Sequence, residues 1–276
     1  MTPAVAGATL GGMTARRAFL TTAGGLGLVA LVAGCAEQEG QMGGGGGRRS
    51  RAALSARPRE APAAPPPGPG EHALGVETGR DSLLHVPPAA AAGKPVPLVV
   101  SLHGAGGSAG NGLSLWRAAA DEHGFAVLAP SSRGSTWDAV RGGYGPDVDV
   151  LDRSLRRAFE LVPVGPGRIG VTGFSDGASY ALGLGLANGG LFPEVVAFSP
   201  GFVPPAPAAG RPRFFVSHGT GDEVLPIERT SRRIVPGLRA DGYDVTYAEF
   251  DGGHSVPPAI LRRAVGWLGH GAPAAG

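Results

Sequence analysis

Residues 168–187 read RIGVTGFSDGASYALGLGLA. Arg168–Thr172 has the apolar, β-branched texture of a short strand, and Ala178–Ala187 is a run of small and aliphatic residues that reads as a helix. Between them lies Gly173-Phe174-Ser175-Asp176-Gly177, with a glycine two residues to either side of the serine. A serine on a sharp strand-to-helix turn is lifted out of the sheet to where a substrate can reach it. Glycines at both flanks let the two backbones close on each other. In a chain with 49 glycines the five letters alone carry little weight. The strand before them and the helix after them make Ser175 a candidate nucleophile.

Working outward, the same alternation recurs. Ser82–Val86 is a short strand, and Pro97–Leu102 (PLVVSL) is a continuous apolar run of the kind buried on both faces of a sheet. Leu113–His123 reads as a helix stopped by Gly124, and Phe125–Ala129 as the next strand. Val148, Leu151, Leu155 and Phe159 recur at spacings of three and four with Arg153, Arg156 and Arg157 between them, an amphipathic helix. Beyond the serine come strands at Val195–Phe198, Arg213–Ser217 and Asp244–Phe250, and helices at Pro226–Leu238 and Pro258–Leu268. No internal repeat is visible. Strands alternating with helices predict an α/β domain over residues 73–276, with a mostly parallel central sheet flanked by helices on both faces. The connection SPGFVPPAPAAGRP at 199–212 is too short for a large lid domain, so the cleft is expected to be open. Such a cleft suits short acyl chains, aromatic-acid esters or the end of a polymer better than long-chain lipids.

A serine is a weak nucleophile until a base, itself held by an acid, takes its proton. His254, in Asp251-Gly252-Gly253-His254-Ser255, follows a predicted strand and is the candidate base. Asp222, in Ser217-His218-Gly219-Thr220-Gly221-Asp222, also follows a strand and is the candidate acid, with Glu223 as the alternative. Strand ends are where open α/β sheets place their ligands. His103 and His218 each precede a glycine at a strand end and read as loop braces. His123 reads as the last residue of a helix, and His72, His85 and His270 belong to no constellation. The developing oxyanion needs N–H donors. The loop Leu102-His103-Gly104-Ala105-Gly106-Gly107 can supply the N–H of Ala105, and the residue after the nucleophile that of Asp176. No Gly-Lys-Ser/Thr follows these glycines, which argues against a phosphate loop.

With these pieces in hand, residues 97–269 resemble the phospholipase/carboxylesterase family, with kinship to polyhydroxybutyrate depolymerases, feruloyl esterases and dienelactone hydrolases. The matching segments are LVVSLHGAGG, GRIGVTGFSDGA, VSHGTGDEVLP and FDGGHSVP. The resemblance implies the α/β-hydrolase fold, whose order Ser, Asp, His this chain follows, and hydrolysis of carboxylic esters without metal or cofactor. It suggests Trp137 as a wall of the substrate cleft, with a partly buried loop aromatic as the alternative, and places Gly106 beside that cleft. Asp176 departs from the family, which commonly has Gln, Met or Asn there, and this leaves the substrate class open. A thioesterase, a lactone hydrolase and a non-catalytic binding scaffold are the rival readings.

The first 34 residues read as a signal peptide. Arg16-Arg17 is either a twin-arginine export signal or an ordinary positive n-region, and is followed by a glycine-rich apolar run. Val32-Ala33-Gly34-Cys35 resembles a bacterial lipobox, which makes Cys35 the expected lipid-attachment site and the chain an exported, membrane-anchored lipoprotein. As the single cysteine it forms no intrachain disulfide. Residues 35–72, with GGGGG and APAAPPPGPG, are too poor in large apolar side chains to fold and read as a disordered tether. Without Arg16 and Arg17 the chain has 22 basic and 22 acidic side chains, and no basic stripe remains that would suit a nucleic acid.

Overall fold

The computed structural model describes residues 51–59 and 65–269. The expected signal peptide at 1–34 and Cys35 lie outside them. Strands β1 (Gly70–Ala73), β2 (Leu83–Val86), β3 (Val96–Leu102), β4 (Ala126–Ala129), β5 (Val164–Phe174), β6 (Glu194–Phe198), β7 (Arg213–Gly219) and β8 (Val245–Phe250) form one sheet. Its order is β1-β2-β4-β3-β5-β6-β7-β8. Strands β3 to β8 run parallel, and β1 and β2 extend the β4 edge antiparallel. The helices are α1 (Pro88–Ala91, a single turn), α2 (Ala109–His123), α3 (Pro146–Leu161), α4 (Asp176–Ala187), α5 (Ser231–Ala240) and α6 (Pro258–Trp267).

Side chains alternate across a strand, so each buried strand feeds two cores. Leu98, Val100 and Leu102 of β3 join Leu151, Leu155, Tyr180 and Leu238 on the face covered by α3, α4 and α5. Val99 of the same strand joins Leu113, Trp116, Ala264 and Val265 on the face covered by α2 and α6. Every residue of β3 is buried, as its unbroken apolar run requires. The amphipathic pattern in α3 is realised: Val148, Leu151, Leu155 and Phe159 are buried while Arg153, Arg156 and Arg157 face solvent. Gly124 ends α2 in the left-handed conformation, φ 72°, where a glycine costs least.

The topology also places the site. From β3 the chain steps outward to β4, then returns past β3 to β5, so the winding reverses between β3 and β5. Leu102 and Gly173 pair at their carboxyl ends. A crevice at such a reversal is where doubly wound sheets bind ligands.

Two features differ from expectation. The helix expected over Pro226–Leu238 is a 3-10 turn at Ile227–Arg229 followed by α5. The Thr230 hydroxyl donates back to the Pro226 carbonyl at 3.1 Å, a local bond that competes with the helical one. Second, the expected tether at 35–72 is structured in part. β1 begins at Gly70, and Ala52, Leu54 and Ala56 are buried against α3 and α4. Asn188 accepts the Leu54 N–H and donates to the Ala52 carbonyl, both at 2.8 Å. Asp152 accepts the N–H groups of Ser55 and Ala56, each at 2.7 Å. Small residues alternating with Arg and Ser carry too weak an apolar pattern to announce this clasp. The 199–212 connection, as expected, carries no helix or strand.

Candidate active site

Ser175 has φ 58° and ψ −121°, a left-handed conformation that costs a non-glycine residue about 1–3 kcal/mol. Close packing on both sides imposes it. A Cβ on Gly173 would lie 2.2 Å from the Gly177 carbonyl, and one on Gly177 would lie 2.3 Å from the Leu102 carbonyl oxygen. Both positions therefore exclude any side chain, and the Gly-x-Ser-x-Gly pattern records that contact. The Ser175 N–H is tied to the Phe198 carbonyl of β6 at 3.0 Å, so the turn is anchored to the sheet.

The structure brings the three expected residues into one hydrogen-bonded chain. His254 Nε2 is 2.9 Å from Ser175 Oγ, and His254 Nδ1 is 2.7 Å from Asp222 Oδ2. A carboxylate can only accept, so Nδ1 carries the proton and Nε2 is left to accept from the serine hydroxyl. Phe174 packs against the imidazole with ring centroids 4.7 Å apart and limits its rotation. The Asp222 carboxylate is fully enclosed. Its Oδ1 accepts the N–H groups of Val224 and Leu225 at 2.9 and 2.8 Å. Burial by itself would raise the Asp222 pKa. The Leu225 N–H and the His254 contacts outweigh it and hold the carboxyl below its usual range, so it is ionised at neutral pH. Glu223, the alternative acid, points into solvent.

The loop after β3 passes directly over Ser175: a Cβ on Gly104 would be 3.4 Å from Ser175 Cβ. Within this loop the Gly106 N–H is taken by the Ser135 carbonyl at 2.6 Å and the Gly107 N–H by the Gly104 carbonyl at 3.1 Å. The Ala105 N–H has no acceptor among the described residues. Asp176 is the first residue of α4, and an N–H at that position has no acceptor inside its helix. Ala105 and Gly106 are both exposed.

Trp137 corrects one expectation. It is fully buried and does not line a cleft. Its Nε1–H donates to the His103 carbonyl at 2.9 Å, and its ring lies between His103 and Tyr180 with centroids 4.9 and 5.1 Å away. A buried indole N–H needs an acceptor, and here the acceptor is the backbone that leads into the Gly104–Gly107 loop. His103 braces the same loop, as expected. Its Nε2 accepts the Ser132 N–H at 3.0 Å, so Nδ1 donates to the Gly104 carbonyl at 2.7 Å. Burial holds His103 below the usual histidine range and keeps it neutral.

Several supports were not legible beforehand. The Asp176 carboxylate accepts the Thr136 hydroxyl at 2.6 Å, pinning the 133–147 loop to the elbow. Asp138 accepts the N–H groups of Gly145 and Asp147 at 2.9 and 2.8 Å, while Asp147 accepts those of Arg133 and Asp138 at 2.7 and 2.8 Å. These partners are distant in sequence or loop-local, and no residue spacing announces them. A cavity of about 320 Å³ opens between Gly104 and His254, with Leu115, Phe174 and Val256 among its apolar walls. Among the described residues, no group of three or more His, Cys, Asp or Glu is arranged to hold a metal, and no helix is long and apolar enough to cross a membrane.

No protein-family model matches the sequence, and no curated protein matches it. Solved structures do resemble it. Esterase PE8 is 26% identical with a TM-score of 0.55, and the match covers 67% of this chain and 95% of that one. Acetyl xylan esterase from Aspergillus awamori is 16% identical with a TM-score of 0.59, covering 73% of this chain and 99% of its own. A phospholipase/carboxylesterase from Dyadobacter fermentans is 21% identical with a TM-score of 0.53, covering 68% and 95%. The chain has the α/β-hydrolase fold.

Proposed function

We propose that this chain is a serine hydrolase that cleaves carboxylic esters. The observation that carries the reading is the continuous chain from Ser175 Oγ through His254 to an enclosed, ionised Asp222. His254 Nε2 takes the Ser175 proton as Oγ attacks the ester carbonyl, and the Ala105 and Asp176 N–H groups receive the oxyanion. The carbon–oxygen bond to the alcohol breaks as the imidazolium returns its proton to the departing oxygen, leaving an acyl-serine. Water, deprotonated by the same imidazole, then releases the acid. The uncovered cleft and its modest cavity favour short-chain, aromatic-acid or hydroxyalkanoate esters, as small molecules or polymer ends.

The test is hydrolysis of p-nitrophenyl acetate together with labelling by a fluorophosphonate probe. Wild type should show both, and Ser175→Ala should show neither while unfolding at the wild-type temperature. Undiminished turnover in Ser175→Ala would refute the assignment.

For location, the support is sequence alone: Arg16-Arg17, the apolar run after them, and Val32-Ala33-Gly34-Cys35. On this reading the enzyme is exported, cut before Cys35 and held at a membrane by a lipid on that sulfur. The intact mass of the mature protein tests it. An N-terminus other than an acylated Cys35 would count against the anchor.

A further inference from the structure

Asp222 carries a second histidine. Its Oδ2, the oxygen that holds His254, is also 3.1 Å from His218 Nε2, and both side chains of that contact are fully enclosed. His218 Nδ1 is 2.6 Å from the Ser231 hydroxyl at the start of α5, and Nε2 is 2.8 Å from the Leu225 carbonyl. A carbonyl can only accept, so Nε2 carries the proton and the Ser231 hydroxyl donates to Nδ1. The Nε2–H is directed at the Leu225 carbonyl, and Asp222 Oδ2 lies 3.1 Å from the same nitrogen as a close electrostatic contact. The carboxylate is therefore held from every side: two backbone N–H groups donate to Oδ1, His254 donates to Oδ2, and the His218 imidazole lies against Oδ2.

We infer that His218 is a positioning residue for the reaction, holding the Asp222 oxygen that orients His254; this rests on the ester-hydrolase reading above. A carboxylate fixed only by Oδ1 can still pivot and carry Oδ2 away from the imidazole. The His218 imidazole against Oδ2, set on β7 and locked by α5, removes that freedom. It also draws electron density from Oδ2, which moderates how strongly Asp222 stabilises the imidazolium form of His254. The charged groups around His218 leave this role to it. Glu249, its neighbour in register on β8, is paired with Arg232, and Asp222 and His254 are the remaining titratable partners. Burial keeps His218 neutral against the pull of the Leu225 carbonyl and Asp222, so it donates without adding a competing positive charge.

The test compares His218→Met, which keeps bulk and removes the donor, with His218→Gln, which restores an N–H near Nε2. Rates of p-nitrophenyl acetate hydrolysis are normalised to sites titrated by a fluorophosphonate, so unfolded protein does not count. His218→Met should lower kcat about 10–100-fold with KM within twofold. It should also move the acid limb of kcat/KM upward by on the order of one unit, because the imidazolium is then better stabilised. His218→Gln should recover most of kcat and return the limb. Unchanged kcat per titrated site and an unmoved limb in His218→Met would overturn the inference, even if that variant melts earlier. A folded His218→Gln as impaired as His218→Met would overturn it too. Loss of activity in wild type, by contrast, would strike the ester-hydrolase reading itself.

Discussion

Replacing Asp222 by asparagine changes one oxygen to an amide nitrogen at nearly constant shape, and the hydrogen bonds around it dictate the outcome. The Val224 and Leu225 N–H groups both point at Oδ1, so the amide must place its remaining oxygen there. Its NH2 then faces the His254 Nδ1–H that donates to Oδ2 and the His218 Nε2–H that lies 3.1 Å from it. Donor meets donor at both contacts. His254 relieves its conflict by moving the proton to Nε2, and in that tautomer it cannot accept from Ser175. A carboxylate-to-amide change in a serine triad lowers kcat by about ten-thousand-fold, equivalent to about 5.4 kcal/mol of transition-state stabilisation. The same order is expected here, while the fold loses about 1–3 kcal/mol from the two weakened buried bonds. Steady-state hydrolysis of p-nitrophenyl acetate at neutral pH measures the first quantity and urea unfolding the second. A folded Asp222→Asn variant with kcat within tenfold of wild type would refute the tautomer reasoning and with it the role of Asp222.

Trp137→Phe removes the bond to the His103 carbonyl and leaves a void beside Tyr180. Stability should fall by about 1–3 kcal/mol in urea, with KM for aryl esters within twofold; a large KM change would restore Trp137 to the cleft. Asn188→Ala removes the side-chain bonds to the Leu54 N–H and the Ala52 carbonyl. Residues 51–59 should then be cut by protease at least tenfold faster while kcat holds, and an unchanged cutting rate would contradict the clasp. His103 and His218 are both held below the usual histidine range by burial, so below about pH 6.5 the unfolded chain binds protons that the folded chain refuses. Each histidine then makes stability fall as pH drops toward its folded pKa, by up to about 1.4 kcal/mol per unit. His218→Gln should flatten the urea-derived stability profile between pH 7 and 5.5 relative to wild type, and parallel profiles would contradict this.

How far sequence reaches can be read from particular residues. The strand, turn and helix around Ser175 are local: Gly173 is demanded by the Gly177 backbone four residues on, while Gly177 is demanded by the Leu102 carbonyl of β3, and both demands show as glycines flanking the serine. The parallel sheet was equally visible, because β3 is buried on both faces and an unbroken apolar run is the one-dimensional image of that burial. Asp222 and His254 were legible as polar residues placed after strands, in an order that fits one fold. What tertiary structure alone decided depends on which distant groups meet. Trp137 lies in a loop whose sequence is compatible with wall or brace, and the His103 carbonyl made it a brace. Ala52, Leu54 and Ala56 look like linker until Asn188 and Asp152 supply their partners. His218 read as one more loop histidine, and only the folding of β7 against α5 set its imidazole beside the oxygen that Asp222 offers to His254. Periodicity and turn chemistry are written within a few residues of one another, so a sequence shows them. Hydrogen-bond partnership across the fold depends on distances that no spacing along the chain records.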